Sequence, residues 1–161
     1  MIDPQPAAGR TVRQRRFGGT VAQIRTALKL YRVLSYSTGI MLLLLCTEMI
    51  ARYAFGKFLY AGGTDALTGQ PFGVGLADAE PAGVLGGVNL SIAILIVHGW
   101  MYVVYLMSTF RLWTLMRWPF GRFILMALGG VVPFLSFFVE RRMHAEAERE
   151  LESHPEAGQR Y

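Results

Sequence analysis

Three runs of the chain, 34–53, 86–110 and 118–139, are apolar nearly throughout and almost free of charge. Each has roughly the 20 residues that cross a hydrocarbon core at about 1.5 Å per residue. The pattern predicts an all-α protein of three transmembrane helices. Pro119 falls at the start of the third run, where the first helical N–H groups lack partners anyway. Pro133, after Gly129 and Gly130, predicts a kink inside it. A re-entrant hairpin bending at those three residues is the alternative, because a run this short cannot cross twice.

Between the first two runs the link is crowded with breakers, Gly62, Gly63, Gly69, Pro71, Gly73, Gly75, Pro81 and Gly83 among them. It is expected to form no more than a turn or a short hairpin. Before the first run, Val21, Ile24, Leu28 and Tyr31 recur at helical spacing among basic residues. They predict an amphipathic helix that flanks the membrane or lies in its headgroup layer. Residues 1–19, rich in Pro, Gly and Arg, are expected to be disordered. The domain reading is a basic segment 1–19, a membrane domain 20–142 and an acidic tail 143–161. The tail is read as a solvated helical extension, with His144 and His154 at the surface.

Composition agrees with a membrane protein: 53% of the 161 residues are hydrophobic, 17% are charged, and the net charge is +5. Ahead of the first run, Arg10, Arg13, Arg15, Arg16, Arg25, Lys29 and Arg32 face Asp3 alone, whereas the link carries Lys57 with Asp65, Asp78 and Glu80. The positive-inside rule sets the N-terminus in the cytoplasm of a cell-membrane protein. Three full crossings then leave the tail outside, in tension with Arg141 and Arg142 at the membrane edge. The excess of arginines is topogenic and gives no argument for nucleic acid. The lone Cys46 excludes an internal disulfide.

Ionisable groups inside the apolar runs are costly and usually face a partner or water. Ser91, His98, Tyr102, Tyr105 and Thr109 share one side of the second run, a polar stripe expected to face protein. On the first run, Glu48 precedes Arg52 by four residues, which predicts an intrahelical ion pair. Helical rise puts Glu48 and His98 about 10 Å apart in depth, too far for direct contact. Haem or quinone binding, or proton handling, at His98 is the alternative to a structural role; a bis-histidine site lacks its second membrane histidine. No metal set or catalytic constellation is visible, and neither a cofactor nor an enzymatic activity is expected.

Four blocks resemble a known family: 31–36 (YRVLSY), 98–106 (HGWMYVVYL), 117–122 (RWPFGR) and 132–137 (VPFLSF) followed by Glu140-Arg141. The chain is similar, over about residues 30–142, to short bacterial integral membrane proteins, common in actinobacteria, that carry a domain of unknown function. The resemblance implies a three-span membrane domain and marks His98, Trp118, Pro119, Pro133, Glu140 and Arg141 as motif positions. The expected role is a non-enzymatic accessory, scaffold or assembly subunit of a larger membrane complex, with a respiratory complex as one host. Its expected partners are membrane lipids, other subunits or further copies; a small oligomeric transporter is a third possibility.

Overall fold

Helix α1 (Val21–Phe55) is unbroken for 35 residues, about 52 Å at helical rise. Thr20 and Gln23 close a capping box at its start, and Gly56, in the left-handed region, ends it. Its buried positions Ile24, Ala27, Leu28, Tyr31, Ser35, Thr38, Leu42, Leu45 and Glu48 follow three- and four-residue steps along one face. The computed structural model that shows this describes residues 17–79 and 81–154. Helix α2 (Leu90–Met116) starts on Asn89, whose side chain accepts from Ile92 N, and ends at Arg117. It runs antiparallel to α1, with Tyr105 against Tyr31 at one end and Ser91 against Glu48 at the other. Both helices are long and apolar enough to cross a membrane.

The expected third span is instead two helices. Helix α3 (Phe120–Gly129) has ten residues, about 15 Å or half a hydrocarbon core. The chain turns at 130–134, through Pro133 and a left-handed Phe134, and continues as α4 (Leu135–Ser153). α4 runs back along α3, so that Arg122 near the start of α3 meets Glu146 and Glu150 of α4. The kink at Gly129, Gly130 and Pro133 is thus a full reversal, the hairpin alternative. The reason is close packing: a Cβ on Gly130 would lie 2.5 Å from the Tyr102 ring, and one on Gly129 3.1 Å from the Tyr105 hydroxyl.

That reversal changes the reading of both ends. Met143, Ala147 and Leu151 of α4 are buried in one core with Phe17, Ile24, Ala27, Leu28, Leu112 and Met116. The tail through Ser153 is therefore a packed helix and not a solvated extension, and the apolar face of residues 21–31 meets protein instead of headgroups. Of the segment expected to be disordered, 1–16 lie outside the described residues. Residues 17–19 are held: Phe17 is buried, and Gly18 N donates to Leu115 O at 2.7 Å. Residues 155–161 also lie outside the described residues.

The link also holds more structure than its glycines suggest. Strands β1 (Phe58–Ala61), β3 (Val74–Ala77) and β5 (Val88–Asn89) form an antiparallel sheet in the order β3-β1-β5, and β2 (Thr64–Asp65) pairs with β4 (Val84–Leu85). Gly62, Gly63, Gly69 and Gly86 take positive φ at its turns, so the breakers shape a compact sheet. Gly83 and Gly87 flank β4 in the same region. Asp65 closes one turn by accepting from the backbone of Thr68 at 2.8 Å and of Leu67 at 2.9 Å, and from the Thr68 hydroxyl. These bonds, the Thr68 backbone first, hold its carboxyl below the usual range.

Two outcomes follow from this packing. Gly130→Ala should destabilise the purified protein by about 1 to 3 kcal/mol, an overpacking cost. Gly99→Ala, which meets open space, should cost nothing, and thermal unfolding in detergent compares the two. Because the Asp65 carboxyl is depressed in the folded turn, its contribution is present above the ordinary carboxylate pKa and fades as pH falls through the lower folded value. Amide exchange at Leu67 and Thr68 should accelerate on acidification in that window, and Asp65→Asn should remove the dependence.

Candidate functional site

The polar side chains that the sequence sets inside the helices gather into a seam between α1, α2 and the hairpin. At the end nearest the sheet Glu48, 7% exposed, accepts a hydrogen bond from Ser91 Oγ, which in turn accepts from Leu59 N of β1 at 2.8 Å. One carboxylate and one serine thereby tie α1, α2 and the sheet together. The expected Glu48–Arg52 pair is not among the ion pairs of the described residues. The Arg52 guanidinium lies over the Phe58 ring at 4.9 Å and the Tyr53 ring at 5.6 Å. The i to i+4 spacing was available, but the closer partner comes from the antiparallel neighbour.

Further in, the hydroxyls of Tyr102 and Tyr105 reach the C-terminal end of α3. Tyr105 Oη donates to Met126 O at 2.5 Å and Tyr102 Oη to Ala127 O at 3.2 Å. A helix end buried in apolar surroundings leaves carbonyls that need donors. Here the backbone N–H of Gly130 turns to Ala127 O, and those of Val131 and Val132 turn to Leu128 O. Tyr105 supplies the donor that Met126 O lacks. The stripe does face protein, as expected: Ser91, Tyr105 and Thr109 are buried, and His98 and Tyr102 half-buried.

His98 is the outermost ring of a row. The Tyr31 and Tyr105 rings are 5.8 Å apart, Tyr105 and Tyr102 6.2 Å, and Tyr102 and His98 6.5 Å, each pair inclined by less than 30°. The imidazole Nδ1 is buried without a hydrogen-bond partner among the described residues. Ser91 and His98 are two helical turns apart, about 10 Å, so the Glu48–Ser91 junction and His98 are separate places. The described residues contain no group of three or more His, Cys, Asp or Glu able to hold a metal ion.

The motif positions sit where the hairpin meets α1 and α2. Glu140, 2% exposed, pairs with Arg32 of α1 at 3.4 Å. One turn away, Ser136 Oγ donates to Ser35 O at 2.8 Å and lies 2.9 Å from Ser35 Oγ. Trp118 Nε1 donates to Glu150 at 3.1 Å, and Arg122 stacks over the Trp118 ring at 5.0 Å while pairing with Glu146 and Glu150. Pro119 caps α3, Pro133 lies in the reversal, and Arg141 is exposed on α4. Sequence reasoning missed Arg32, Ser35, Ser136, Arg122, Glu146 and Glu150. The signals available were the resembling blocks, which contain Arg32, Ser35, Arg122 and Ser136, and the spacing of Glu146 and Glu150 on one helix face.

Comparison with known proteins adds family membership and no activity. The profile of the family described as Domain of unknown function (DUF3817) matches residues 28–145. An uncharacterized protein of Mycobacterium tuberculosis (strain ATCC 25618 / H37Rv) is 31% identical over 120 residues, 74% of this chain and 75% of that protein. One of Mycobacterium leprae (strain TN) is 30% identical over 116 residues, 72% of this chain and 71% of that protein. No solved structure matches. Against these helices, Tyr105→Phe should cost about 1 to 2 kcal/mol, because Met126 O is left buried without its donor. Denaturant unfolding of the detergent-solubilised protein measures it, and Tyr36→Phe serves as the reference.

Proposed function

The chain belongs to the DUF3817 family, and we propose that it is a two-span, non-enzymatic membrane subunit, an accessory or assembly component of a larger membrane complex. The observation that carries this reading is where the polar side chains go. Glu48, Ser91, Tyr102, Tyr105, Ser35, Ser136, Arg32 and Glu140 are engaged with the protein's own backbone and helices. The outward surfaces of α1 and α2 are left apolar, with Ile40, Leu44, Ile92, Leu95, Ile96 and Trp100 exposed. Such faces fit lipid or the helices of other subunits. The hairpin reaches only half a membrane thickness, so the outer halves of α1 and α2 stay open to a neighbour.

In this reading α1 and α2 cross, α3 and the start of α4 enter and leave from the cytoplasmic side, and both termini are cytoplasmic. Arg25, Lys29, Arg32, Arg111, Arg117, Arg141, Arg142 and Arg149 all fall at the end where α4 packs against the start of α1, which suits the positive-inside rule. The sheet is then outside. A second reading, proton or redox handling at His98, draws on its unpartnered Nδ1 and the row of rings behind it.

Reporter fusions test the topology: a fluorescent protein at either terminus should fold and fluoresce in the cytoplasm, and alkaline phosphatase at either should be inactive. An active phosphatase at the C-terminus would restore the three-crossing arrangement. Purification from native membranes in mild detergent should bring down a stoichiometric set of other membrane proteins. A homogeneous lone protein with a visible chromophore lost in His98→Ala would favour the second reading.

A further inference from the structure

The three-stranded sheet has two unlike faces. Residues directly opposite across strands point to the same side, and the register pairs Leu59 with Leu76 and Ala61 with both Val74 and Val88. Those five side chains form one face, and it carries no polar or charged group. Val74, Leu76 and Val88 are 74%, 56% and 61% exposed. The other face holds Phe58, Tyr60 and Asn89; it buries Tyr60, bonds Asn89 Nδ2 to the Tyr60 hydroxyl at 3.4 Å and sets Phe58 under the Arg52 guanidinium. The sheet is thus turned so that its polar and aromatic side meets the helix ends and its aliphatic side faces away.

We propose that this aliphatic face lies on the outer leaflet of the membrane that α1 and α2 cross, an inference that rests on the membrane reading above. Continuity supports lipid as the occupant. Val88 lies in β5, two residues before α2 begins, and α2 opens with the exposed apolar side chains Ile92, Leu95 and Ile96. Tyr53 and Phe55 are exposed at the adjoining end of α1, where aromatic residues mark a membrane interface. The chemistry agrees: the face offers only Leu, Ala and Val, without the Tyr, Trp or Arg anchors that dominate protein interfaces. Depth is fixed by the backbone. Strands β3 and β5 are edges, and an open edge needs water, so the sheet rests at headgroup level with its side chains in the upper acyl region. It acts as a float that sets how deep the two helices sit.

Site-directed fluorescence tests this on the full chain. In a Cys46→Ser background, Val74→Cys, Leu76→Cys, Gln70→Cys and Val103→Cys are each labelled with an NBD probe. The proteins are reconstituted in phosphatidylcholine–phosphatidylglycerol vesicles, with and without lipid bearing a nitroxide high on the acyl chain. The expected result is blue-shifted emission and nitroxide quenching at Val74 and Leu76, comparable to Val103 in the span, with neither at Gln70. Quenching at Val103 alone would overturn the leaflet contact while leaving the membrane reading standing. No quenching at any site would overturn both. Disulfide cross-linking between copies through Val74→Cys, without quenching, would assign the face to a second copy and also overturn the proposal.

Discussion

A helix that stops among apolar side chains must find donors for its last carbonyls, and the rest of this fold is arranged around that need. α3 ends beside α2, and the Tyr105 and Tyr102 hydroxyls meet Met126 O and Ala127 O. Each tyrosine must approach the α3 backbone closely, which is why Gly129 and Gly130 occupy the end of that helix. The Tyr105 ring is then held from the far side by Tyr31 of α1. Without the Tyr105 hydroxyl, Met126 O would be left buried without its donor, a cost of about 1 to 2 kcal/mol.

The same constraint divides the molecule lengthwise. On the side where α4 returns, four helices share a core, and charges at its edge are matched: Glu140 with Arg32, and Arg122 with Glu146 and Glu150. Glu140 is buried while Arg32 is largely exposed, so losing the arginine leaves a buried carboxylate without its cation. Beyond the hairpin tip only α1 and α2 remain, joined by Glu48 and Ser91 and closed by the sheet. His98 sits near that boundary, at the end of the aromatic row.

The helices α1 and α2 were legible because long apolar runs and period-3.6 faces are local signals. The polar stripe of α2 was legible for the same reason, and its residues lie buried or half-buried against protein. Partners were not legible. Glu48 looks sufficient with Arg52 one turn away, yet the antiparallel register delivers Ser91, and no single-chain periodicity contains that register. Gly129, Gly130 and Pro133 announced a bend, but its angle depends on Tyr102 and Tyr105, more than twenty residues upstream. The tail was misread because its glutamates dominate its composition. Met143, Ala147 and Leu151, spaced by four, were the quieter signal of a buried edge. In the link, glycines that argue against strands individually are the ones that let short strands turn and pair.

Ser35 and Ser136 join across 101 residues of chain, and this distance has a consequence for biosynthesis. By the time the hairpin leaves the ribosome, Ser35, Tyr102 and Tyr105 have already been made, so its seat exists before it does. α3 and α4 pair locally in sequence, and their contacts with Ser35, Tyr102 and Tyr105 close the longer loops. The hairpin is therefore the last piece to arrive, and the natural first piece to leave.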